Sequence, residues 1–188
     1  MRKPKEITID RTLLIFVLHL SESKEFSIIS DVKLQHLVFL AELQMFGKGL
    51  RGFHYEFIRY PYGVFSKDLD NDLLALRKKE RLQNFDVVGQ AEDCISLLEK
   101  AVSEVEVHEQ VMEIIQMVVE NYGGQDLDEI AKSVEDVEIS VVDRSEEKIL
   151  IKDIPFHSII LVPSRIEVAG EMTLTPQIIS QLNSALGL

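Results

Sequence analysis

Tyr60-Pro61-Tyr62-Gly63-Val64-Phe65-Ser66-Lys67-Asp68-Leu69 is the stretch on which the fold turns. Its first half ends one element and its second half opens another. Immediately upstream, Phe53-His54-Tyr55-Glu56-Phe57-Ile58-Arg59-Tyr60 alternates and is rich in aromatics, which reads as extended chain. Pro61 and Gly63 break it, and Gly63 supplies a residue free to take positive φ in a tight turn. Ser66 is a suitable helix N-cap, and Leu69, Leu73 and Leu76 give the helix that follows a buried stripe. Arg77-Lys78-Lys79 falls in the last turn of that helix, where basic side chains oppose the negative end of its dipole. Tyr60, Tyr62 and Phe65 are expected to pack the turn onto the core.

Working upstream, Ser30 caps a helix whose apolar positions Leu34, Leu37, Val38, Ala41 and Met45 follow helical spacing, with Gly47 as its stop. Asp10 is the expected cap of a first helix carrying Leu13, Leu14, Val17 and Leu20. Downstream, residues 82–88 and 94–98 read as two strands joined by a loop at 89–93. Ser103-Glu104-Val105-Glu106 has the form of a capping box and opens a helix with Val111, Ile114, Ile115, Val118 and Tyr122 on one face. Asp126 caps a shorter helix with Leu127, Ile130, Ala131 and Val134. The period then changes to two. Residues 137–141 and 148–152 read as paired strands, 156–162 as a third, and Thr175-Pro176 starts a closing helix with Ile178, Ile179, Leu182 and Leu186. The change near Glu135 divides the chain into 1–134 and 135–188.

Helix, helix, helix, strand, strand is the order of a winged helix, so the expected fold class is α+β. A winged-helix-like N-terminal domain with added helices would precede a small β-rich extension that ends in a helix. Two motifs sharpen this. Lys33-Leu34-Gln35-His36-Leu37-Val38-Phe39-Leu40-Ala41-Glu42 resembles the K-L-Q-K-L-x-Y-L-A helix of YwgA-like and Panacea (SocA-type antitoxin) proteins. Residues 60–69 resemble the Y-x-Y-G-P-[YF]-S-x-x-L motif of the same family, with Val64 in place of its proline. The resemblance spans roughly residues 7–134 and carries over Lys33, Gln35, Tyr60, Tyr62, Gly63 and Ser66, mainly as structural residues. It implies an antitoxin-like or adaptor role exerted through protein contacts.

Composition narrows the chemistry. The chain has 188 residues, 46% of them hydrophobic, which is enough for a substantial core. Its net charge of −12 disfavours indiscriminate nucleic-acid coating. That charge is uneven, however. Residues 1–85 hold 14 Lys+Arg against 11 Asp+Glu, and residues 86–188 hold 6 against 21. DNA binding through the third helix therefore stands as the alternative, with Lys48, Arg51, Arg59, Arg77, Lys78, Lys79 and Arg81 as candidate phosphate contacts. Asp68, Asp70 and Asp72 in the first half of that helix, and Glu92 and Asp93 in the expected wing loop, argue against it.

Cys94 is the only cysteine, and His19, His36, His54, His108 and His157 fall in no metal-ligand spacing. No nucleophile elbow or phosphate loop is present. The sequence therefore points to no catalytic residue, no metal and no cofactor, and to a protein that is not an enzyme. With no signal-like or membrane-length apolar run, the expected setting is cytoplasmic. A protein partner is expected, and pairing through the β-rich segment at 137–151 would allow a homodimer.

Overall fold

The computed structural model describes residues 2–28, 30–102, 105–141 and 144–188. Two long helices occupy the middle. α1 (Pro4–Ser23) starts with Pro4 in its first turn, and α2 (Asp31–Gly47) starts at Ser30, whose side chain accepts from the Lys33 N–H. Neither is a one-faced surface helix. Most of α1 from Thr8 to Leu18 is buried, and every residue of α2 from Lys33 to Glu42 is. A helix buried on all sides must be covered on all sides. α1 packs against helices that follow later in the chain, and α2 is covered by two later helices as well as by strands.

After α2 come β1 (Leu50–Arg51), β2 (Phe57–Tyr60), β3 (Gly63–Phe65) and α3 (Lys67–Lys78). β2 and β3 form a hairpin whose loop is Pro61-Tyr62, with Tyr60 opposite Gly63 and Ile58 opposite Phe65. Ser66 caps α3 by accepting from the Leu69 N–H. A second, short hairpin follows, β4 (Leu82–Gln83) and β5 (Asp86–Val87). Then come α4 (Asp93–Val102), α5 (Glu106–Tyr122) and α6 (Leu127–Glu135). Asp126 and Glu129 form a reciprocal capping box on α6. The expected capping box before α5 lies partly outside the described residues, which omit 103 and 104, and Val105 occupies the N-cap.

Past residue 135 the chain forms the predicted hairpin, β6 (Glu138–Val141) and β7 (Arg144–Leu150), but β7 starts four residues before the expected 148–152 strand and gives way at Ile151 to a single 3-10 turn. The middle of its connection, at 142 and 143, lies outside the described residues. β8 (Ile159–Leu161) then joins the outer side of β2, giving an antiparallel sheet in the order β3-β2-β8. β9 (Gly170–Glu171) pairs in parallel with β1, and α7 (Pro176–Leu186) packs on α1 and α4. One apolar core runs from Ile9 to Leu186 and includes Ile151, Leu161, Met172 and Leu182 from the last third of the chain.

The molecule is α+β, and it corrects several local expectations. Residues 82–88 are not one strand but the β4–β5 hairpin, and residues 94–98 are not its partner strand but part of α4. Cys94, Leu98 and Ala101 are its buried positions, and the spacing of four and three becomes visible only when Ala101 is included. Glu92 and Asp93 consequently lie at a helix start rather than in a wing loop. Asp10 caps nothing, because α1 begins two turns earlier and Asp10 is fully buried within it. Helix α2 runs through Gly47, and Gly49 takes the left-handed turn at φ +70°. The strand expected at 156–162 shortens to three residues and pairs with β2, not with the β6–β7 hairpin.

Candidate functional site

The two motifs of the family resemblance meet in space. Gln35 on α2 reads the backbone of Ser66 with both ends of its amide. Nε2 donates to the Ser66 carbonyl at 3.1 Å, and Oε1 accepts from the Ser66 N–H at 2.9 Å. Lys33 turns the other way, and its buried ammonium donates to the carbonyls of Ser27 and Gly123 at 2.9 and 2.8 Å. Gly63 sits at φ +115° directly over His36, so close that a Cβ there would lie 2.1 Å from His36 Nε2. Arg59, 3% exposed, holds the hairpin from beneath. Its Nη1 donates to the carbonyls of Tyr60 and Gly63, and its Nη2 pairs with Glu135 at 2.8 Å. Lys33, Gln35, Gly63 and Ser66 are thus each tied into or packed against neighbouring backbone or side chains.

The two tyrosines of the motif are exposed. Tyr62 is 71% exposed, which corrects the expectation that it packs the turn inward; Tyr60 is 39% exposed and edges against Phe65 and His157. Phe156 and Ile159, brought alongside by the β2–β8 pairing, are exposed as well. Pro61 and Tyr62 form one lip of a groove of about 780 Å³, with Val32 and the Leu127 and Ala131 side of α6 as its floor and far wall. A large aromatic left in water beside an apolar groove, on an otherwise tightly bonded turn, is the surface feature of interest.

The seven candidate phosphate contacts do not form one patch. Arg51 is bound to Glu171 at 3.1 Å and to the Pro163 and Ile166 carbonyls. Arg59 is buried as described. Arg77 makes a two-pronged pair with Asp31, at 2.7 and 3.2 Å, and lies over Phe85. Arg81 donates to the Ala185 carbonyl at the end of α7 and to Gln90. Lys48, Lys78 and Lys79 remain exposed. Lys48 stands at the C-terminal end of α2, while Arg77 contacts its first residue, so the two basic groups sit about 25 Å apart along that helix.

A second polar cluster has no counterpart in the sequence reading. Asp10, fully buried, receives Arg2 Nη1 at 2.8 Å and both the backbone N–H and Nδ1 of His54 at 2.9 Å. Asp72 receives Arg2 at 2.7 Å, Arg11 at 2.8 Å and the Tyr55 hydroxyl at 3.0 Å. Burial is the largest influence on His54 and works against its charge, but the bonds to Asp10 and Glu171 and the charges of Asp10 and Glu6 together outweigh it and raise the imidazole pKa. Glu42, also fully buried, is driven well above the usual carboxylate range by burial and by the neighbouring charge of Asp10. Its position on α2, among apolar neighbours in sequence, gave no hint of this.

His54 Nε2 opens toward a cavity of about 240 Å³ where Glu171 from β9 and Glu6 from the first turn of α1 converge on it. The three residues come from positions 6, 54 and 171, which no spacing rule can connect. Compared with known proteins, the chain matches no family model, no curated protein and no solved structure. Among the described residues, no helix is long and apolar enough to cross a membrane.

Proposed function

We propose that this protein is a non-enzymatic regulatory or adaptor protein that acts through protein–protein contacts, antitoxin-like in the sense that its resemblance to YwgA-like and Panacea proteins implies. The observation that carries the reading is the exposure of Tyr62 at the tip of a hairpin that is otherwise fixed by Gln35, Arg59 and Gly63. Rigid backbone with an exposed aromatic at its tip loses little entropy on docking, and aromatic anchors beside a groove dominate the energetics of protein interfaces. The groove is bordered by Asp128, Glu135 and Asp136 against Lys132 and Lys152, and the last hundred residues are strongly acidic, so a basic, partly apolar segment is the partner that fits. Within this reading α1, α2 and α3 are the helices of the winged-helix-like unit, and the short β4–β5 hairpin stands in place of the wing expected from strands at 82–88 and 94–98.

The test is affinity capture from the source cells with the full chain and with Tyr62→Asp. Loss of one and the same captured protein in the variant, with unchanged thermal unfolding, is the expected result. Capture indifferent to Tyr62, or none at all, overturns the reading. The DNA-binding alternative retains only Lys48, Lys78 and Lys79 as exposed cations of its candidate set. It predicts salt-sensitive retention on duplex DNA that Lys78→Glu with Lys79→Glu abolishes.

A further inference from the structure

We propose that Glu6, His54 and Glu171 form a site for one divalent transition-metal ion, zinc by its ligand chemistry. Each residue offers one donor atom, and the three donors lie within 4.8 Å of one another. All three are aimed by a partner on their other side. Asp10 accepts from His54 Nδ1 at 2.9 Å, which fixes the ring and turns Nε2 toward Glu171. The Lys3 backbone N–H holds Glu6 Oε2 at 2.6 Å, and Arg51 Nη1 holds Glu171 Oε2 at 3.1 Å; among the described residues the Oε1 atoms meet only the exposed Lys3 ammonium, at 3.4 Å, and His54 Nε2, at 3.4 Å, contacts that a bound ion would replace. A carboxylate behind a histidine is the usual support of a metal-bound imidazole, because it sets the tautomer and strengthens the donor.

The spacing suits a small ion. His54 Nε2 and Glu171 Oε1 are 3.4 Å apart, close to the edge of a tetrahedron whose ligand distances are about 2.1 Å. The His54 side chain is 8% exposed, so its donor atom is presented to the cavity and not to bulk water. Charge favours a dication too. Three cationic side chains and four carboxylates line the cavity. One imidazole with two carboxylates suits zinc better than magnesium or calcium, which take oxygen ligands alone. Three protein donors leave a fourth position facing the cavity. The site would tie the first turn of α1, the segment before β2, and β9 to a single ion.

The experiment is calorimetric titration of zinc chloride, and separately magnesium chloride, into chelator-stripped full-length protein near neutral pH. One zinc equivalent is expected, with no comparable magnesium uptake. Glu171→Gln and Glu6→Gln are each expected to weaken zinc binding about tenfold or more, and Asp10→Asn to do so through His54. Zinc should also raise the thermal midpoint of the wild type and leave that of Glu171→Gln in place. Glu6 and Glu171 are part-exposed, so their amide variants should remain folded, as far-UV circular dichroism will show. Absence of saturable zinc uptake overturns the proposal, as does uptake that neither glutamate substitution weakens.

Discussion

At residue 36, burial and protonation oppose each other. His36 is 0% exposed, roofed by the Gly63 backbone and flanked by Arg59. Burial pushes its pKa down to about 4, the Arg59 charge pushes the same way, and the nearby Tyr62 backbone only partly offsets them; among the described residues neither ring nitrogen has a hydrogen-bond partner. In the unfolded chain the imidazole titrates near 6.5. The fold therefore holds the neutral ring. Its contribution is intact above about pH 6.5 and is lost as pH falls toward 4, amounting to about 3 kcal/mol. Urea unfolding of wild type and His36→Gln between neutral pH and about pH 4 measures this. The wild type should lose about that much more stability than the variant, and parallel pH profiles would refute the assignment. Helical spacing placed His36 one position off an apolar stripe. It could not show that the β2–β3 hairpin covers the flank where the ring lies, because that contact is made by residues 27 positions away.

Between elements, the Gln35–Ser66 contact joins α2 to the start of α3. Gln35→Ala would leave the buried Ser66 N–H without its acceptor, while the Ser66 carbonyl keeps its bond from Asp70 N–H. An unpaired buried donor, together with the space left by the amide, costs about 3 kcal/mol. Loss of the cap in Ser66→Ala costs about 1 kcal/mol. Chemical unfolding should rank Gln35→Ala as the more damaging change, and the reverse order would show that the cap, not the clamp, holds the junction. Elements of this kind were readable where the signal is local. Ser30, Ser66, Asp126 and Thr175 each cap the helix that their sequence context indicates. The start of α1 was not readable, because Asp10 resembles a cap by type yet serves as an acceptor for Arg2 and His54. Nor was α4, whose apolar residues satisfy a strand over 94–98 and a helix only over 94–101.

Across the whole molecule, the change of period near Glu135 marks a change of local structure, while the core continues through it. Beyond that point the chain returns to the N-terminal part three times. β8 covers the edge of β2, β9 covers β1, and α7 lies on α1 and α4. These returns bury Ile151, Leu161, Met172, Leu182 and Leu186 in the common core. At about 2 kcal/mol for each large apolar side chain, they contribute roughly 10 kcal/mol, comparable to the entire net stability of a typical domain. Removal of 135–188 also strips Glu135 from Arg59, whose buried guanidinium then lacks its carboxylate. A fragment of residues 1–134 should therefore keep helical far-UV signal but lose the sharp thermal transition and the dispersed amide spectrum of the full chain. It should also bind a hydrophobic dye through its uncovered core. A cooperative melt and a dispersed spectrum from that fragment would make residues 135–188 an appendage and would place the energetic centre of the fold wholly in α1–α6.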